Sequence, residues 1–450
     1  MKLVYDVKDK PKVGQILIFA LQQLLAILAA TIAVPAIIGN DMDPAAALFG
    51  AGVGSLVYIL FTKAKSPVFL GSSFAFLGSM AAAFAGAVSL QAGYAGLVIG
   101  AAFAGLVYVV IAFIVRAFGT RWVDRLMPKQ VIGPTVAIIG LSLAGNAVGD
   151  LQTVVGTADG VETVPYFAII AGLITLLVVC ICSVYGSKSL KLIPFIIGIL
   201  AGYAVAAIFT VIGQNAENPS MILCNFDAFA NMKAFQIPEF TFINALKGVK
   251  EIDGAYIAQV AVAYVPVAFV VFAEHIADHK NISSIIEKDL LREPGLHRTL
   301  LGDGVGSMVG AFFGGCPNTT YGESIACVAI TGNASVITIA CTAVLAIAVS
   351  FVGPFVTFLG SIPSCVMGGV CMSLYGFIAV SGLKMIKDVD LEDNRNLFVV
   401  SVILIAGIGG LSLTFGQVTI TTIACALILG IIFNIILAKK DDSVTASKEQ

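Results

Sequence analysis

The 450-residue chain is 58% hydrophobic and 12% charged, with a mean hydropathy of +0.99 and a formal net charge of -2. So little polar surface cannot cover that much apolar mass in water, which excludes a soluble globular protein. The net charge says nothing about nucleic acid, but there is no basic run to grip phosphates, so no nucleic-acid partner is expected.

Repeated apolar runs of roughly 20 residues read as membrane-spanning helices. Lys2, Lys8, Lys10 and Lys12 precede the first run. That run is too long for a signal-peptide core and no cleavage site follows it, so it is read as the first span. Seven spans are expected near 14–38, 45–62, 68–86, 93–115, 130–148, 164–185 and 191–213. A polar segment, 214–253, follows. Seven more spans are expected near 255–279, 296–314, 317–332, 334–358, 362–383, 396–413 and 419–438. The fold class is therefore an all-α polytopic membrane protein of about fourteen spans.

The charges fit this count. If the connections alternate sides, all but three of the 25 Lys and Arg fall on one side, and the exceptions, Lys233, Lys247 and Lys250, share the long loop. Asp41, Asp43, Asp150, Asp159 and Glu162 fall on the other side. Basic residues stay cytoplasmic, chiefly in short loops. Both termini are thus expected inside, in a plasma (bacterial inner) membrane.

Seven spans on each side of the long loop mean that the second half is inverted relative to the first, as in many secondary transporters. Span 3 should then match span 10. Span 3 begins "SPVFLGSSFAF" (Ser66 to Phe76), and span 10 begins "CPNTTYGES" (Cys316 to Ser324). Each has a proline followed by β-branched, aromatic and small polar residues, and neither beginning reads as helix. Interrupted segments at matching positions in two halves point to a transport site. Gly302, Gly306, Gly310 and Gly314 form a ridge in span 9, and Gly50 and Gly54 lie in span 2. Such ridges let backbones approach closely, and generic helix packing explains them better than ligand contact.

Nearly all 27 acidic residues fall in loops or at span ends. The exceptions are Glu274, Glu323, Asp303 and, one turn beyond Glu274, Asp278. A charge at mid-membrane costs on the order of 2.5–3.5 kcal/mol on insertion scales, so these are site candidates. Asp303, between Gly302 and Gly304, is equally read as a hydrogen-bond partner for exposed backbone. His275, His279 and His297 lie close together, and the first two have i,i+4 metal-ligand spacing. No third ligand completes a zinc site, so they read as polar residues at the mouth of span 8 and no metal is expected. The nine Cys sit singly and read as packing residues.

Two membrane carboxylates without a basic partner imply protonation. A neutral or weakly acidic substrate with a proton fits them better than an anion. Backbone that leaves helix at membrane depth must pair or line a cavity. Extended pieces of spans 3 and 10 would bond to one another, with leftover N–H donors facing a ligand. A small planar ligand with alternating N–H and C=O groups would match, with Phe74 and Tyr321 flanking its ring.

"FAEH", "PGLHRTLLGDG", "GSSFAF" and above all "FFGGCPNTTYGES" resemble segments of the uracil permeases of the nucleobase–ascorbate transporter family. "LQQLLAILAATIAVP", "MPKQVIGPTVAIIGLSLAG" and "IPSCVMGGVCMSLYG" extend the resemblance over nearly the whole chain. The resemblance implies uracil–proton symport by a core domain moving against a gate domain. The core would comprise 1–118 and 254–358, and the gate 119–213 and 359–450, the latter including a cytoplasmic tail. Residues 214–253 would form an extracytoplasmic loop. Spans 3 and 10 would carry short antiparallel strands.

The resemblance assigns Glu274 and Glu323 to the pyrimidine's polar edge. It assigns backbone contacts to Phe74 and Gly322, with Ser73 beside them, and ring packing to Tyr321. Proton coupling would involve Glu274, Asp278 and Glu323. Further candidates are Ser324, Thr331, Gln23 and Asp303. The implied partners are uracil and membrane lipid, with a homodimer left open, and the proton takes the place of a cofactor.

The chain departs from the family pattern at three places. Ser324 and Ala326 stand where the span-10 signature has Asn and Gly, with Thr331 kept. Asp278 stands where the uracil permeases carry a histidine. Gln22-Gln23 stands where the first span often reads Gln-His. The alternatives are a xanthine or uric acid transporter of the same family, a passive channel, and, far behind, a membrane metalloenzyme using Glu274, His275 and His279.

Overall fold

The computed structural model describes residues 3–438, except 153–156, 159–160, 163–165, 189, 231 and 416–417. Asp159 and the tail from 439 onward, named above, lie outside the described residues. The protein is a predominantly helical, multi-pass integral membrane protein. In chain order, the helices of the first half are α1 (Val13–Ile38), α2 (Pro44–Phe61), α3 (Leu77–Ala85), α4 (Leu90–Phe118), α5 (Lys129–Leu151), α6 (Tyr166–Tyr185) and α7 (Pro194–Asn215). Those of the second half are α8 (Gly254–Ile286), α9 (Leu296–Gly314), α10 (Gly322–Thr331), α11 (Val336–Val349), α12 (Ser364–Ile386), α13 (Asn394–Ile408) and α14 (Thr422–Ile436). Among the described residues, eight helices are long and apolar enough to cross a membrane: α1, α2, α4 to α8, and α12.

Local chemistry sets several boundaries. Asp43 accepts from the Ala45 N–H with Pro44 at the first helical position of α2. Ser89 and Asp253 cap α4 and α8 by accepting from Ala92 and Tyr256 N–H. Such caps satisfy amides that a helix start leaves unpaired. Outward faces such as Leu106, Val110 and Phe113 on α4 are exposed apolar surface suited to lipid.

Some edges differ from expectation. The run expected as one span over 334–358 is α11 followed by a separate short helix, Gly353–Gly360. Pro354 suits a helix start and lacks the N–H that a continuing helix would need. The span expected to 413 ends at Ile408, before Gly409 and Gly410, and a hairpin of Leu413–Phe415 with Val418–Ile420 follows.

Two strands form at the expected breaks. β1 (Leu70–Ser72) precedes a 3-10 turn, Phe74–Phe76, that leads into α3. β2 (Asn318–Thr320) precedes α10. They pair antiparallel, Leu70 opposite Thr320, Gly71 opposite Thr319 and Ser72 opposite Asn318. The pairing satisfies backbone groups that would otherwise be bare in an apolar interior.

The glycine ridges bring α2 and α9 into backbone contact. A Cβ on Gly50 would lie 2.4 Å from the Gly310 carbonyl oxygen, and one on Gly54 2.7 Å from that of Gly306. They also make room for Asn318, whose side-chain nitrogen donates to the Gly50 carbonyl at 3.2 Å. A Cβ on Gly310 would strike that side chain at 2.2 Å. The ridges therefore seat β2 as well as joining two helices.

Candidate functional site

The strand pair is the floor on which the candidate residues assemble. Past Ser72 the chain turns into the Phe74 helix start, and past Thr320 into the α10 start. Each helix start follows directly on its strand, so both lie near the pair, one at either end. Amides at such positions lack helical partners and carry partial positive charge. Those of Phe74 and Gly322 are of this kind. Ser73 is fully buried; its N–H donates to the Pro317 carbonyl at 2.9 Å, and its hydroxyl has no hydrogen-bonding partner among the described residues.

Glu323 occupies the first turn of α10. Glu274 and Asp278 project from α8, and all three carboxyls are partly buried. Glu274 lies within electrostatic reach of Asp278, Asp303 and Glu323. Asp278 accepts a hydrogen bond from the Thr320 hydroxyl at 2.7 Å, so α8 is tied directly to β2.

Tyr321 is 3% exposed; its ring packs over Gly71, and its hydroxyl donates to the Ser72 carbonyl at 2.9 Å. Phe74 meets Tyr375 of α12 edge to face, with centroids 5.5 Å apart at 84°. Tyr375 was not singled out in the sequence, because an aromatic inside an apolar span carries no local mark. Thr320 was missed for a related reason: hydroxyl-to-carboxyl pairing across distant spans leaves no spacing to read.

Ser324 accepts from the Phe69 N–H at 3.0 Å and from the Gln23 side chain at 2.5 Å. Two of the chain's departures from the family pattern therefore touch each other. Thr331 lies apart from these residues. Its hydroxyl donates to the Cys327 carbonyl at 2.7 Å, roughly 12 Å along α10 from Glu323 by helical rise.

His275 and His279 are fully buried between α8, α2 and α9 rather than lining a mouth. His275 contacts Asp303 at 2.7 Å and Thr299 at 3.0 Å. His279 Nδ1 donates to the His275 carbonyl at 2.8 Å, and Nε2 contacts the Tyr58 hydroxyl at 2.7 Å. All four ring nitrogens are thus engaged. His297 sits apart at the start of α9. Among the described residues, no group of three His, Cys, Asp or Glu is placed to hold a metal.

A family model described as Permease family matches residues 14–416. The chain belongs to the nucleobase–ascorbate family of permeases. It is 40% identical over 439 residues to the uracil permease of Bacillus caldolyticus, covering 97% of this chain and 95% of that protein. It is 37% identical to the uracil permease of Bacillus subtilis strain 168, covering 100% and 98%, and 34% identical to that of Escherichia coli K12, covering 98% and 97%.

Among solved structures, the transmembrane domain of a cyanobacterial bicarbonate transporter, BicA, superposes with a TM-score of 0.61 at 15% identity, covering 95% of this chain and 99% of that one. The murine solute carrier 26 family member A9 anion transporter, solved in its inward-facing state, reaches 0.65 at 12% identity, covering 96% and 69%. These two likenesses concern the fold. Permease membership makes this chain a transporter rather than an enzyme.

Proposed function

We propose that this protein is a proton-coupled importer of uracil in a bacterial plasma membrane, working by alternating access with substrate held between α3, α8 and α10. The observation that carries the reading is the convergence of Glu274 and Glu323, from separate helices, beside two helix starts at a strand pair. Uracil's edge alternates N–H and C=O. Carboxylates accept from its N–H groups, and the amides of Phe74 and Gly322 donate to its carbonyls. Phe74 and Tyr321 bound the ring, with Ser73 beside Phe74. The curated relatives named above as uracil permeases support this choice of substrate.

Protons neutralise the acid cluster, because close carboxyls with no basic partner cannot all stay ionised in an apolar setting. Glu274, Asp278 and Glu323 are the coupling groups, with no other cofactor. The helices are read as fourteen spans in two inverted repeats, with both termini cytoplasmic. Residues 1–118 and 254–358 make up the core, 119–213 and 359–450 the gate, and 214–253 the extracytoplasmic loop. Packing supports the division. The α2–α9 contact joins the two proposed core halves, and in the proposed gate α5 meets α12, where a Cβ on Gly382 would lie 2.2 Å from Ala137 N.

Radiolabelled uracil binding to Glu323→Gln decides the site: loss is expected, and wild-type binding would remove Glu323 from it. Uptake against a gradient should collapse on adding a protonophore. Stronger competition by unlabelled xanthine than by unlabelled uracil would overturn the choice of substrate.

A further inference from the structure

Residues 4–9 run beside the turn that follows α10. The amides of Val4 and Tyr5 both donate to the Gly332 carbonyl, at 2.8 and 3.2 Å. In return, Ala334 N–H donates to Tyr5 O at 2.9 Å and Val336 N–H to Val7 O at 3.1 Å. Tyr5 and Asn333 form a parallel bridge, and the Ser335 hydroxyl donates to Asp9 O at 2.7 Å. Val7 is 4% exposed and belongs to a small separate core with Ile325 and Val328 of α10, Ile282 and Ile286 of α8, and Leu70 of β1. Asp6 pairs with Lys288, just beyond α8.

We propose that this strap positions the half-helix that carries Glu323, an inference that rests on the reading of Glu323 as a substrate residue. α10 has ten residues and begins where a strand ends. A helix that short is marginal alone, so its placement comes from tertiary packing. β2 and the Ser324 hydrogen bonds hold its first turn. Its last turn is held by the strap, which covers the Gly332 carbonyl and adds Val7 to the small core that α10 and α8 share. Were the strap released, tilting of that end would swing Glu323 relative to Glu274. The exposed Asp6–Lys288 pair adds direction rather than much strength.

The test measures amide hydrogen exchange of the full-length protein in detergent together with initial-rate uracil uptake. Val7→Asp places a charge in the small core. We expect roughly fivefold faster exchange across α10, and a similar rise in KM with Vmax near wild type. Val7→Ile should behave as wild type in both. If Val7→Asp fails to accumulate, the exposed ion pair carries the test: Asp6→Lys should speed α10 exchange, and adding Lys288→Asp should restore it. Unchanged α10 exchange, a uniform increase over all helices, or no rescue by the swapped pair would overturn the proposal. Faster α10 exchange with unchanged KM would support the strap and instead remove Glu323 from the substrate site.

Discussion

Thr320 on β2 donates its hydroxyl to Asp278 on α8 at 2.7 Å. The bond connects the helix that carries two acids to the strand that leads into the third. Removing the donor with Thr320→Val leaves Asp278 to be satisfied some other way. Hydrogen bonds to charged groups contribute about 1.5–3 kcal/mol. Uptake should fall on the order of tenfold in Thr320→Val, and Asp278→Asn should change the pH profile of uptake. An unchanged profile in Asp278→Asn would take that residue out of proton coupling.

Glu274 is partly buried among other acids. Glu274→Gln relieves repulsion and keeps the shape of the side chain. Transport should be lost while membrane accumulation and thermal unfolding in detergent stay at or above wild type. A variant that unfolds early would give Glu274 a structural role instead.

Ser324 is a shared acceptor for the Phe69 amide and the Gln23 side chain, both buried. Ser324→Ala strands both donors, at about 1–3 kcal/mol each. Gln23→Ala removes one donor and leaves the other satisfied. Thermal unfolding should therefore place Ser324→Ala well below Gln23→Ala, and equal unfolding temperatures would contradict the shared-acceptor geometry.

Gly50 and Gly310 leave no space for a methyl group between α2 and α9. Neither clash is with the tip of a long flexible chain: Gly50 faces backbone and Gly310 the short, hydrogen-bonded Asn318 side chain. Gly50→Ala and Gly310→Ala should each destabilise by about 1–3 kcal/mol, the usual cost of overpacking. Because Gly310 also seats Asn318, Gly310→Ala should in addition weaken uracil binding, which a binding isotherm would reveal.

The Lys288 hydrogen bond holds Asp6 below its ordinary carboxylate range. Its folded value is depressed, so the stabilisation is present above the unfolded value, near 4, and is lost as pH falls through the folded one. After division by the intrinsic exchange rate at each pH, exchange at the end of α10 should be insensitive to Asp6 between pH 7 and about 5, and should rise below roughly pH 4. In Asp6→Asn that acid-dependent rise should be absent.

Much of this architecture was legible in the sequence. The helices follow apolar runs whose length the membrane dictates, and β1 and β2 lie in the stretches that read as poor helix. Glu274 and Glu323 stood out as candidates because a charge in an apolar run is costly enough to need a reason. What escaped were relationships between distant segments. Nothing near Thr320 announces Asp278, and nothing near Val7 announces Ile325 or Val328. His275 and His279 misled by position: their place at the end of span 8 put them at a mouth, whereas Tyr58, Asp303 and Thr299 bury them in a hydrogen-bonded interior. Gly353 and Gly409 mark the missed breaks, and both were visible as residues that tolerate a helix end.

The strand pair also has a history during synthesis. The Ser324 hydroxyl that receives the Phe69 amide lies 255 residues later in the chain. At about 5–20 residues per second, roughly 13–50 s separate the two on the ribosome. Through that interval the first strand has no β2 to pair with, and bare backbone in hydrocarbon is expensive. Ser55 offers a local substitute: its hydroxyl accepts from the Leu70 amide at 2.8 Å and donates to the Leu70 carbonyl at 3.1 Å, from only 15 residues upstream. That clip can form as soon as α2 and the next turn are made. It gives the nascent first half a way to keep its broken span in register until its counterpart emerges.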